Sequence, residues 1–151
     1  MRDWHLSPVE CKNYVVLEAH MEVNKEFDTE KPLELVLSDL EIQHSLHQGE
    51  DKPNEGIVRV HVEMKHDEKK NVPYHVRVHL AGNFAIFAAF PAEKKEMFLK
   101  TNGASILYGV ARELVRDLTS RGPYSQILLP TVSFAEIKTS KIKKENSLNI
   151  N

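Results

Sequence analysis

The chain has 151 residues, 41% of them hydrophobic and 28% charged, with a formal net charge of −2. That composition fits one globular domain, too apolar to stay unfolded and not basic enough to hold a nucleic-acid backbone. Its single cysteine, Cys11, excludes an internal disulfide and a cysteine-based zinc site within one chain and suits a reducing compartment.

The N-terminal stretch "MRDWHLSPVECKNYVV" has no basic start followed by an apolar run of signal-peptide length. No segment approaches the ~20 apolar residues of a membrane span, so a cytoplasmic protein without membrane insertion is expected. Across residues 14–23, Val15, Leu17, Ala19, Met21 and Val23 alternate with Glu18, His20 and Glu22, which predicts a half-buried strand. Leu33, Leu35 and Leu37 repeat the pattern. Ser38 and Asp39 shift its phase before Leu40 and Ile42 continue it, as a β-bulge would.

After the polar loop "HQGEDKPNEG", Val58, Val60, Val62 and Met64 alternate with Arg59, His61, Glu63 and Lys65. Following "DEKKNVP", Tyr74, Val76, Val78 and Leu80 alternate with His75, Arg77 and His79. Strands two to four thus read as an antiparallel meander with one wet face. From Pro91 the period lengthens, with Leu107, Val110, Ala111, Leu114 and Leu118 at helical spacing. Pro91 suits a first turn, Gly103 a break, and Gly122 with Pro123 a stop. Two helical pieces are expected, residues 92–101 and 104–121. Four strands followed by helix predict an α+β fold, a four-stranded antiparallel sheet with helices packed on one face. Residues 1–137 are read as a single domain, and residues 138–151, basic and without apolar period, as a tail.

Eight histidines invite a metal, but His61, His75 and His79 read as titratable groups on a solvated sheet face. No catalytic residue, metal ligand or cofactor is assigned. Cys11 lacks an elbow motif, and "TNGAS" is neither a phosphate loop nor a nucleophile elbow. The carboxylates Glu34, Asp39, Glu41 and Glu63 read as solvation. "ILLPTVSF" is different. It is apolar, yet Pro130 cannot donate to a ladder and argues against a central strand, so an extended loop pressed on an apolar surface is expected.

The run "SILYGVARELVRDLTSRGPYSQILLPTVSF" resembles the SecB protein-export chaperones. Tyr108, Ala111 and Arg112 match their aromatic-x-x-Ala-Arg element, and Ser120, Arg121 and Gly122 match the helix stop. Leu128, Pro130, Val132 and Phe134 match the Pro-rich crossover that follows. The resemblance implies an ATP-independent holdase, a homotetramer built as a dimer of dimers, that keeps unfolded or pre-secretory polypeptides competent for translocation. Its partners would be those clients and the export motor ATPase.

On this reading Ile127, Leu129, Val132, Phe134 and Ile137 form one wall of a peptide groove and Leu33, Leu35 and Leu37 the other. Leu107, Val110, Leu114 and Leu118 serve the subunit interface. Family members continue into a second amphipathic helix and a motor-docking tail, whereas here "KTSKIKKEN" follows at once. Similar SecB-like proteins act as dedicated chaperones of an antitoxin, and a non-chaperone oligomeric binding domain is a further alternative.

Overall fold

The structure, a computed structural model, describes residues 4–34, 39–65 and 69–135. Four strands, β1 (Val9–Val23), β2 (Leu40–His47), β3 (Glu55–Met64) and β4 (Tyr74–Ile86), form one antiparallel sheet in the order β1-β4-β3-β2. A 3-10 turn at Ala92–Lys94 leads into a single long helix, α1 (Lys95–Ser120). The expected α+β architecture is therefore present, with the helix on one sheet face.

Alternation decides which face that is. Val58, Val60, Val62 and Met64 of β3 and Tyr74, Val76, Val78 and Leu80 of β4 are all buried, because a period of two sends every second side chain beneath the helix. From above, α1 contributes Leu99, Ala104, Leu107, Ala111 and Val115 to the same core. The intervening Arg59, His61, His75, Arg77 and His79 occupy the outer face.

Three expectations need correction. The second strand does not start at Leu33, which lies in a loop with Glu34; β2 begins at Leu40. The helix does not break at Gly103. A Cβ there would stand 2.7 Å from Val58 Cγ2, so the missing side chain lets α1 lie close on β3 and is a packing requirement. The phase of β1 also differs. Antiparallel partners share a face, and Ala19, Met21 and Val23 pair with core-facing Val78, Val76 and Tyr74. A bulge between Val16 and Glu18 makes Leu17 the extra residue, so Val16, not Val15, stands opposite Leu80. Tyr14, Val15, Val16 and Leu17 all remain exposed on this edge strand. The expected bulge near Ser38 falls partly outside the described residues, as do Leu35, Leu37, Ile137 and the tail 138–151.

Loops are fastened by side-chain amides. Asn71 accepts from the Asp28 N–H at 2.9 Å and donates to the carbonyls of Asp28, Lys31 and Pro32, which holds the segment carrying Leu33. Lys95, buried at the start of α1, donates to Asn54 Oδ1 at 2.6 Å and the Ala88 carbonyl at 2.9 Å, so these neutral oxygens take the place of the water its ammonium gives up on burial.

Candidate functional site: an apolar crossover pinned across the helix

After α1 the chain crosses back over the helix as residues 122–135, without helix or strand. Backbone that forms no ladder must find other partners, and α1 and β4 supply them. The Thr119 hydroxyl accepts from the Ile127 N–H at 2.8 Å while donating to the Val115 carbonyl at 2.7 Å. Arg112 Nε donates to the Leu129 carbonyl at 3.0 Å, and the Tyr108 hydroxyl donates to the Pro130 carbonyl at 2.5 Å. Tyr74 from β4 both donates to the Tyr124 carbonyl at 3.0 Å and accepts its N–H at 2.8 Å.

The chemistry of the Tyr108-x-x-Ala111-Arg112 element follows. Residues four apart share a helix face, so Tyr108 and Arg112 take consecutive carbonyls of the crossover, and Ala111, fully buried between them, adds no bulk. Burial pushes the Tyr108 phenol up, with the Arg112 charge acting the other way, so the hydroxyl stays a protonated donor. At Gly122 an added Cβ would stand 2.5 Å from the Tyr74 hydroxyl. Only glycine lets the chain leave the helix over that ring.

The pinned crossover alternates inward and outward. Ile127 and Leu129 are each 2% exposed, whereas Leu128 is 65% exposed. Ile127 and Leu129, expected on the groove wall, are thus core residues in this chain. Val132 is half-buried, and Phe134 packs edge-on against Tyr108 and His44, with ring centroids 5.7 and 4.9 Å away.

Two concavities flank the crossover. One of about 540 Å³, at its end, is lined by Ile42, His44, Met97, Val132 and Phe134, with Glu93, Glu96 and Lys100 also on its wall. Burial first, and the Lys100 charge second, lower the His44 pKa. The other, about 550 Å³, is lined by Phe27, Leu33, Pro73, Pro123 and Tyr124 among others. Here the Phe27 and Tyr124 rings lie 4.7 Å apart, and Leu33 stands half-exposed.

The structure therefore brings Leu33 to one end of the crossover and Val132 with Phe134 to the other. Ile42, Met97, Phe27 and Tyr124 were not singled out in the sequence, although Ile42 was visible as a phase-shifted continuation of the leucine run. Of the residues expected at a subunit interface, Leu107 is closed inside its own core. Val110, Leu114 and Leu118 are half-buried. No helix among the described residues is long and apolar enough to cross a membrane.

These features define an α+β protein that presents an apolar, proline-interrupted crossover held by its own helix. The chain belongs to the SecB family: the family model described as preprotein translocase subunit SecB matches residues 19–145. Among solved structures it is similar to a SecB-like chaperone of Mycobacterium tuberculosis in complex with a ChAD peptide from the HigA1 antitoxin. That likeness has 19% identity and a TM-score of 0.63, and it covers 85% of this chain and 93% of that one. A protein of unknown function from Streptococcus agalactiae is matched at 14% identity and a TM-score of 0.46, over 81% of this chain and 96% of that one. No curated protein matches the chain.

Proposed function

We propose that this protein is an ATP-independent cytoplasmic holdase that binds unfolded or pre-secretory polypeptides and keeps them competent for translocation. Membership of the SecB family supports a chaperone role. The observation that carries the reading is the pair of open concavities, each with apolar side chains set among polar and charged ones, at the two ends of a crossover whose backbone is already fixed. A rigid wall of apolar contacts binds extended chains without reading side-chain order, and its ordering entropy is spent on folding, not on binding. Preference for the unfolded form then holds clients open by mass action.

The binding unit in this reading is a single domain of residues 1–137 with a basic tail, assembled as a homotetramer. The exposed apolar run from Tyr14 to Leu17 on the free edge of β1 supports assembly, since an edge of that kind pairs readily with another chain. Docking of the tail on an export motor ATPase belongs to the same proposal.

The test is calorimetric titration, without nucleotide, of a chemically denatured and slowly refolding model protein against its native form. Tight binding of the unfolded form alone is expected, and binding of neither form defeats the holdase reading. A second reading, a dedicated chaperone of an antitoxin, is favoured by the likeness to the mycobacterial protein solved with an antitoxin peptide. An antitoxin encoded beside this gene, bound much more tightly than unrelated unfolded chains, would establish it.

A further inference from the structure

The outer face of the sheet carries a cluster that client binding does not use. β1 places His20 and Glu22 two residues apart, hence on one face, and β4 sets His75 directly opposite Glu22. One ligand atom from each of the three lies within 4.8 Å of the others. His20 Nε2 stands 3.7 Å from Glu22 Oε2, and the His20 and His75 rings meet edge-on at 5.5 Å. Behind His75 stands Glu63 of β3, whose Oε1 is 3.2 Å from His75 Nε2. The neighbouring Arg77 is engaged by Glu18.

We propose that His20, Glu22 and His75 form a site for a zinc-class divalent cation, with water completing the coordination and Glu63 orienting His75. Two imidazoles and one carboxylate suit Zn²⁺, whereas Mg²⁺ and Ca²⁺ require oxygen donors. With its Nε2–H donating to Glu63, His75 keeps the Nδ1 lone pair for the cation, the arrangement in which a carboxylate fixes the tautomer of a ligating histidine.

Tetrahedral donors at ~2.0–2.2 Å from zinc stand about 3.4 Å apart, so the cluster must contract. Glu22 has the freedom to do so, its side chain being 69% exposed, and His20 is 39% exposed. A shallow cavity of about 410 Å³ lined by Glu22, Val23, Asn24, Lys25 and His75 leaves the site open to solvent. A bound cation would clip the edge strand β1 to β4. It would therefore stabilise the folded chain by mass action without altering the crossover.

The experiment is calorimetric titration of the chelator-stripped full chain with ZnCl₂, followed by thermal unfolding with and without the metal. One Zn²⁺ per chain is expected, with a raised thermal midpoint. His20→Gln and Glu22→Gln, both on exposed side chains, should each weaken binding about tenfold or more. Glu63→Gln should weaken it ~10-fold, and His47→Gln, on the far edge strand, should leave it unchanged. Circular dichroism of each variant separates loss of ligand from loss of fold. The proposal is overturned if no saturable binding occurs, or if well-folded His20→Gln and Glu22→Gln variants bind as tightly as the native chain.

Discussion

The Tyr108 hydroxyl of α1 donates to the carbonyl of Pro130, the one residue of the apolar run that has no N–H of its own to give. Arg112, one turn further along the helix, takes the preceding carbonyl, that of Leu129. At Leu129 and Pro130 the crossover is thus held by its acceptors, and its proline costs no ladder bond because no ladder is made there.

Removing the phenolic oxygen tests that arrangement. Tyr108→Phe leaves the ring in place and strands a carbonyl acceptor, so unfolding in urea should require about 1–2 kcal/mol less. The far-ultraviolet dichroism should stay unchanged. A midpoint equal to that of the native chain would mean that the bond contributes nothing in solution.

Gly103→Ala distinguishes packing from helix propensity. In an exposed helix the change would stabilise by ~0.8–1.0 kcal/mol. Here the new methyl meets Val58 Cγ2 at 2.7 Å, and overpacking of about 1–3 kcal/mol should win. Chemical denaturation gives the sign directly, and net stabilisation would show that α1 is free to shift away from β3.

Client binding should respond to residues that are open, not to those that are closed. Val132→Asp and Met97→Asp should lower affinity for an unfolded model protein more than tenfold while the chain remains folded. Phe134 is only 9% exposed, so Phe134→Ala should instead cost roughly 3 kcal/mol of stability or more. Normal binding by the Val132 and Met97 variants would remove the 540 Å³ concavity from the proposed site.

The lowered pKa of His44 has a definite sign. With its ordinary value at 6.5 and its folded-state value below that, the unfolded chain takes up the proton first. Stability is therefore greatest above pH 6.5 and declines as pH falls below it. His79, lowered by burial and then by His61, acts in the same direction. The thermal midpoint should be lower at pH 5.5 than at pH 7.5, and His44→Gln should flatten the difference. An unflattened profile would assign the loss to other groups.

Much of the fold was legible in the sequence because strands buried on one face have an exact period. Val58 to Met64 and Tyr74 to Leu80 needed only counting. Gly103 misled because a glycine in a helical pattern has two physical meanings, a break or a close approach, and only the position of Val58 separates them. The β1 bulge at Leu17 was invisible because Val15, Val16 and Leu17 are all apolar, so the alternation set by Glu18 and His20 can be continued back through either phase.

The crossover was legible as apolar and extended, but not its inward and outward division. That division is set by bonds from Thr119, Arg112 and Tyr108 to backbone groups 8 to 22 residues away, and such bonds leave no periodic trace. That Leu33 and Tyr124 line one concavity and Met97 and Val132 the other is likewise purely tertiary.

Because Tyr108, Arg112, Thr119 and Tyr74 grip main-chain atoms, the path of the crossover does not depend on which side chains it displays outward. Positions such as Leu128 and Thr131 can therefore change in composition while the loop keeps its course. A lineage can retune what the surface prefers to hold by successive single substitutions, each made on an intact scaffold.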